Sequence, residues 1–247
     1  MNNEKIALFQ KILDKSNNIV FFGGAGVSTD SGIPDFRSKD GLYNTPNIGF
    51  EEYEPEYLLS KQCLYHNPKV FYEFYRQKLD VRNIEPNSVH YKLAELEKHA
   101  NLWIVTQNID GLHQKAGSKN VLEIHGTTQK TYCTRCGMEY NSDYIFNCKK
   151  DIPLCECGGM LRPDITLYGE QLPKSATEKA IEVISKADCL IIAGTSLQVY
   201  PANEFINYFE GNNLVIINKE PLNITIDEDK DLVIIDSLSN VFDKIIV

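Results

Sequence analysis

The 247-residue chain has no apolar run approaching the roughly 20 residues that a membrane-spanning helix needs, and no internal repeat or low-complexity segment. Its first residues, Met1-Asn2-Asn3-Glu4-Lys5, are polar and carry no apolar signal core, so a cytoplasmic protein is the expectation. Surplus positive charge is missing as well. Lys and Arg number 25 against 34 Asp and Glu, a net charge of −9, which argues against binding a nucleic-acid backbone as the main activity. The same balance is compatible with basic partners such as lysine-bearing protein segments. No dispersed, even set of cysteines is present either. Five of the seven fall between Cys133 and Cys157, with Cys63 and Cys189 isolated, a pattern that favours a metal over disulfides. What remains is a chain long enough to bury a large domain, or a large one with a smaller appendage.

A complete G-x-G-x-x-G is also lacking, but most of one is there. The apolar run Ile19-Val20-Phe21-Phe22 leads into Gly24-Ala25-Gly26-Val27-Ser28, with Thr29 where a third glycine would stand. Small residues let backbone N–H groups approach an anion, and a helix beginning near Ser28 would aim its positive end at the same point. A strand–turn–helix unit of this kind holds dinucleotide pyrophosphates. The tripeptide Asp35-Phe36-Arg37 sharpens the reading, since an acid, an aromatic and a guanidinium suit a ribose, a pyridine ring and a phosphate.

Along the chain, Ile6, Phe9, Ile12 and Leu13 predict a first helix by their spacing. From about 40 to 86 aromatics crowd between acids and internal prolines, and short inserted helices are expected. A helix over 88–98, strands over 103–106 and 121–124, and a helix over 175–187 follow. Apolar runs at 190–193, 214–217 and 232–235, with a helix-like 202–209 between the first two, complete an alternation of strands and helices. The expected fold is α/β: a doubly wound, mostly parallel, Rossmann-like sheet with a smaller domain made of a helical insertion and a zinc ribbon. Residues 1–39, 87–127 and 166–247 form the main domain in this reading, with insertions at 40–86 and 128–165.

Cys133-Thr134-Arg135-Cys136 and Cys155-Glu156-Cys157 supply four thiols as two close pairs, the spacing of a closed tetrahedral zinc site. The second pair is one residue short, and Cys148 is available to replace a ligand; free thiols in a reducing compartment are the plain alternative. Such a site is structural, because four thiolates leave no open coordination position.

Two further motifs sit at the ends of strands, where open α/β sheets bind ligands. In Thr106-Gln107-Asn108-Ile109-Asp110-Gly111-Leu112-His113, Asn108 and Asp110 are spaced to face one pocket, although Asn and Asp also favour plain turns. In Leu122-Glu123-Ile124-His125-Gly126, His125 is placed as a general base. Of the other histidines, His66, His90 and His99 have no evident partners, and His113 fits a structural place in its turn.

Taken together, and in this order along the chain, these motifs resemble the signature of the sirtuins, the NAD-dependent protein deacylases; Tyr168-Gly169-Glu170 and Gly194-Thr195-Ser196 extend the likeness. The resemblance implies an enzyme that moves the acyl group of a modified lysine onto ADP-ribose and releases nicotinamide, with NAD as co-substrate and one structural zinc on Cys133, Cys136, Cys155 and Cys157. It implies that Gly24, Ala25, Gly26, Ser28, Asp35, Phe36 and Arg37 line the NAD site. Gln107, Asn108 and Asp110 would hold the nicotinamide ribose and carboxamide, and His125 would be the base, with Asn108 and Asp110 assisting catalysis. Gly194, Thr195, Ser196, Asn218 and Glu220 would meet the phosphates and adenosine. Ile165, Leu167, Tyr168, Gly169 and Glu170 would receive an extended acyl-lysine peptide by strand addition.

Two features depart from the pattern. Tyr75-Arg76-Gln77-Lys78 carries lysine where sirtuins that prefer acidic acyl groups have arginine, so desuccinylation is not expected and Lys78 reads as helix surface. Asp236-Ser237-Leu238 replaces a glycine-containing adenine loop. The competing readings are an ADP-ribosyltransferase on the same NAD site and a non-catalytic zinc-ribbon binding protein. Partners are expected to be acyl-lysine proteins or peptides, not nucleic acid or membrane, and a monomer is favoured.

Overall fold

The computed structural model describes residues 2–36, 38, 41–42, 49–227 and 229–247. Arg37 and Tyr43 lie outside the described residues. Among the described residues nine strands follow in chain order: β1 (Asn18–Gly23), β2 (Asn101–Thr106), β3 (Val121–Glu123), β4 (Gly126–Cys133), β5 (Glu139–Asn141), β6 (Leu161–Ile165), β7 (Cys189–Ala193), β8 (Asn213–Asn218) and β9 (Leu232–Ile235).

Six of these form one sheet in the order β3-β2-β1-β7-β8-β9, with every neighbouring pair parallel. Apolar runs such as Ile19–Phe22 make such strands because helices cover both faces and successive side chains enter opposite layers. Ile19, Phe21, Ile104, Ile191 and Ile217 pack on one face with Phe9 of helix Asn2–Leu13, Leu93 of helix Ser88–Leu96 and Phe242 of helix Leu238–Phe242. Val20, Phe22, Val105, Ile192 and Ile216 pack on the other with Ala180 and Ile184 of helix Lys174–Ser185 and with Phe205. Each buried Ile or Phe side chain contributes about 1.5–3 kcal/mol. Asn87 starts helix Ser88–Leu96 as a capping box: its side chain accepts from the Val89 N–H at 3.0 Å, and its own N–H donates to His90 Nδ1 at 3.2 Å.

Two local expectations change. Residues 25–31 form two short 3-10 turns, Ala25–Val27 and Thr29–Ser31, instead of a helix starting near Ser28. The segment Ala202–Tyr208 is likewise 3-10 in type. Helix Leu238–Phe242, capped by Ser237, had no periodic signal long enough to read.

The remaining three strands form an antiparallel sheet in the order β5-β4-β6. The aromatic-rich stretch folds into helices Pro55–Leu58, Lys61–His66 and Pro68–Lys78, whose Phe71, Tyr72, Phe74 and Tyr75 pack with Ile145, Ile165 and Leu167. The two insertions therefore share one core and make a single smaller lobe. Its sheet is continuous with the main domain: β4 begins directly after His125.

Candidate active site

β1 and β7 are neighbours at the point where the strand order reverses, and the loops leaving their carboxyl ends touch. The Gly26 N–H donates to Gly194 O at 2.8 Å, and the Gly24 N–H to Ala193 O at 3.3 Å. A Cβ on Gly26 would lie 2.8 Å from Gly194 Cα, so the glycine is there for loop-on-loop packing. That replaces the sequence-based reason for these glycines. Their amides are used inside the protein, as are those of Val27 and Ser28. The N–H groups of Ala25, Thr195 and Ser196 have no protein partner among the described residues, and all three residues line the cleft that opens here. They are donors for an anion.

This cleft encloses about 680 Å³ between the sheet edge and the smaller lobe. Asp35 and Phe36 line it from the β1 side, and Asn218 and Glu220 from the end of β8. Gly24 lies behind the surface, outside the lining.

At the floor of the cleft, the turn after β2 is tied together by side chains. The Ser28 hydroxyl, in a residue only 1% exposed, donates to Asp110 Oδ2 at 2.7 Å and accepts from Asn108 Nδ2 at 3.1 Å. Asp110 Oδ1 meanwhile accepts from the Leu112 N–H at 2.9 Å. Asp110 thus closes its turn through one carboxylate oxygen and holds the cleft-lining Ser28 through the other. Burial raises the pKa of Asp110, opposed by these bonds. Gln107 joins three elements: its N–H donates to Gly23 O at 2.9 Å, its Nε2 to Thr195 Oγ1 at 3.0 Å, and its carbonyl meets His125 Nδ1 at 2.8 Å.

That last contact decides the chemistry of His125. A carbonyl only accepts, so Nδ1 carries the proton and Nε2 keeps a lone pair. Burial lowers the pKa of His125, with the Gln107 bond opposing, so the ring is neutral near pH 7. His125 lines the cleft. Gly126 is required next to it, because a Cβ there would lie 2.1 Å from Asp164 O on β6. His113 faces inward, 1% exposed, packed on Phe21 and on His90 with ring centroids 6.1 and 4.7 Å apart.

The segment expected to take a peptide, Ile165–Glu170, forms one wall. The Thr166 N–H donates to His125 O at 2.8 Å, the Tyr168 N–H to Leu59 O at 3.0 Å, and Tyr168 O accepts from the Lys61 N–H at 3.0 Å. Leu167 and Glu170 bond to each other, through Glu170 N–H to Leu167 O and Leu167 N–H to Glu170 Oε2. The Gly169 N–H and C=O are left without a protein partner among the described residues. The Glu170 carboxylate turns inward onto Arg162. Sequence reasoning missed several lining residues, among them Gln198, Val199 and Tyr200 of the loop after β7, since an irregular loop carries no periodic signal. Lys78 also lines the cleft instead of lying on the outer helix surface. At the adenine-side loop, Asp236 accepts from Asn2 Nδ2 at 2.9 Å and Asn240 Nδ2 at 3.0 Å.

Away from the cleft, the Sγ atoms of Cys133, Cys136, Cys155 and Cys157 all lie within 4.8 Å of one another. The pairs Cys133–Cys157 and Cys136–Cys155 are 3.5 and 3.7 Å apart, close to the edge of about 3.8 Å of a tetrahedron with 2.3 Å zinc–sulfur bonds. Cys148 stands outside this group, so it replaces no ligand. Tyr140 OH contacts Cys155 Sγ at 3.0 Å and the Cys136 N–H donates to Cys133 Sγ at 3.5 Å, as expected around thiolates.

Comparison with known proteins agrees with this geometry. The model of the Sir2 family matches residues 24–201. An NAD-dependent protein deacetylase of Clostridium perfringens is 51% identical over 248 residues, covering 99% of both chains, and one of Clostridium acetobutylicum is 48% identical over 98% of both. A solved structure of Sir2 with a deacetylated p53 peptide and 3′-O-acetyl ADP-ribose superposes with a TM-score of 0.85 at 34% identity, covering 96% of each chain. With a matching family model over most of its length and relatives of this identity end to end, the chain belongs to the Sir2 family.

Proposed function

We propose that this protein is an NAD-dependent protein-lysine deacetylase that transfers the acyl group to ADP-ribose and releases nicotinamide. The observation that carries the reading is the Gln107 carbonyl fixing His125 as the Nδ1–H tautomer, with Nε2 free in the cleft. NAD, when bound, supplies an electrophilic ribose carbon and nicotinamide as leaving group. The chain's own part is to bind, orient and move one proton. The Ala25, Thr195 and Ser196 amides take phosphate oxygens, and Asn218 and Glu220 take the adenosine side. Gln107, Asn108 and Asp110 hold the nicotinamide half, with Ser28 keeping Asn108 and Asp110 in place. Phe36 excludes water, and Asp35 stands beside it in the lining. His125 Nε2 accepts a hydroxyl proton. The peptide adds as a strand along Ile165–Glu170, where Gly169 has backbone groups to offer.

The two cores on the faces of the large sheet, and the separate core of the smaller lobe, support a main domain over 1–39, 87–127 and 166–247 with insertions at 40–86 and 128–165. Cys63, Cys148 and Cys189, free thiols outside the zinc cluster, support a reducing, cytoplasmic setting.

The test is nicotinamide release from NAD with an acetyl-lysine peptide and with the same peptide unmodified. Release that requires the acetyl group, matched by O-acetyl-ADP-ribose, is expected; release without it would move the reading to ADP-ribosyl transfer or NAD hydrolysis. His125→Ala should lower turnover by about 10²–10⁴ while leaving the fold intact, the worth of a positioned base. Ordinary turnover in that variant would remove the assignment of His125.

A further inference from the structure

Arg162 is the second residue of β6, and it is only 5% exposed. A buried guanidinium needs partners for its N–H groups, and here they come from both ends of one short segment. Nη2 donates to Ile165 O at 2.9 Å, at the entry to the segment. Nη1 and Nη2 donate to Glu170 Oε1 and Oε2 at 2.8 and 2.9 Å, at its exit. Glu170 Oε2 also accepts from the Leu167 N–H at 3.0 Å, inside it. The ring of Tyr132 on β4 covers the guanidinium, 5.5 Å from its centroid. Burial works against the charge on Arg162, and the Glu170 bonds together with the neighbouring charges more than offset it.

From these contacts we infer that Arg162 is a positioning residue for the peptide substrate: its planar fork closes 165–170 into one fixed loop and so presents the Gly169 backbone to an incoming strand. The inference rests on the deacetylase reading above. A strand pairs only with an edge whose N–H and C=O groups are held in register, and Gly169 has no side chain to hold it. Leu59 and Lys61 fix Tyr168 from outside, the Leu167–Glu170 bonds close its last turn, and the Arg162–Glu170 pair ties entry to exit. The anion-binding amides of Ala25, Thr195 and Ser196 belong to other loops. Loosening the pair should therefore weaken peptide binding and leave NAD binding as it is.

The experiment is steady-state deacetylation by Arg162→Lys and Glu170→Gln beside the wild type, with the acetyl-lysine peptide and NAD varied in turn. Lysine keeps the charge but loses the fork, and glutamine removes the charge while keeping the shape. We expect peptide KM to rise by about tenfold or more in Arg162→Lys, in line with losing charge-assisted hydrogen bonds, with a rise in the same direction in Glu170→Gln. NAD KM should stay within about twofold. An unchanged peptide KM in either folded variant overturns the inference. So does a parallel rise of both KM values with a lowered Tm, which is what a merely structural pair would give. If Arg162→Lys fails to fold, Glu170→Gln alone decides. Absence of acetyl-dependent turnover in the wild type would instead overturn the functional reading itself.

Discussion

All five residues of β7 are buried between two layers of helices, whereas none of the three residues of β5 is buried. The six-stranded sheet has long apolar strands and two separate cores, one on each face. The three-stranded sheet has, at its cysteine end, a cluster of only Cys133, Cys155 and Leu161 with Tyr140 against it. The large sheet is buried on both faces, whereas the small one packs on the aromatic core through Ile165 at one end and has four sulfurs placed for a metal at the other. The difference teaches where a metal would matter: the large sheet has a core on each face, while the cysteine end of the small one has too little apolar surface to hold itself and would draw stability from a bound zinc. β4 runs from Gly126, next to His125, to Cys133 of the thiol cluster, so a metal held there would brace the strand that leads to His125.

The largest effect should come from breaking the metal-held half. Structural zinc contributes about 10–16 kcal/mol to small domains that depend on it. Stripping the metal, or Cys136→Ser, should abolish hydrogen-exchange protection in β4–β6 and deacetylase activity, with the six-stranded sheet still protected. Equal loss in both sheets, or none in the small one, would mean that the two are not held differently.

A smaller effect probes the burial-held half. His90 lies at 0% exposure on helix Ser88–Leu96, and burial pushes it down to about 4; His113 beside it is also lowered, by burial and by His90. Both pKa values are depressed, so their contribution to stability is full above pH 6.5 and is lost as pH falls toward the folded values. For His90 alone this amounts to about 3 kcal/mol between pH 6.5 and 4. Urea unfolding of the main domain across that range should show the decline, and His90→Gln should make it shallower, leaving the His113 share. A flat profile in the wild type would place the acid sensitivity elsewhere.

The smallest effect sits where the two strands of the switch point meet. Gly26→Ala puts a methyl 2.8 Å from Gly194 Cα and 2.9 Å from Gly194 O, both backbone atoms that cannot rotate away. A loss of about 1–3 kcal/mol is expected from overpacking, with a higher KM for NAD. Thermal unfolding of the variant measures it, and a Tm like that of the wild type would show that the loops have slack.

The parallel sheet was legible because its strands are continuous apolar runs between punctuating loops, a pattern that survives without any tertiary knowledge. The short 3-10 turns after β1 were not, since three-residue elements have no period to detect. Ser28 could be named as a cofactor residue, but its bonds to Asp110 and Asn108 join positions some eighty residues apart. The burial of Arg162 was not legible, because nothing local distinguishes a guanidinium that will be buried from one in solvent. That the helix surface at Lys78 borders the cleft was hidden for the same reason: a helix shows its faces by spacing, not which of them borders a cleft.

By itself the sequence determined the fold class, the two thiol pairs, the place of His125 at a strand end and the likeness to the sirtuins, all of which are written in local patterns of residue type and spacing. Only the tertiary structure decided which His125 nitrogen holds the proton, why Gly26 must be glycine, that Cys148 is no ligand, and that Glu170 faces Arg162. Each of these depends on backbone or side-chain atoms distant in the chain coming within about 3–4 Å of one another, and contacts of that range are set by packing, which no local pattern records.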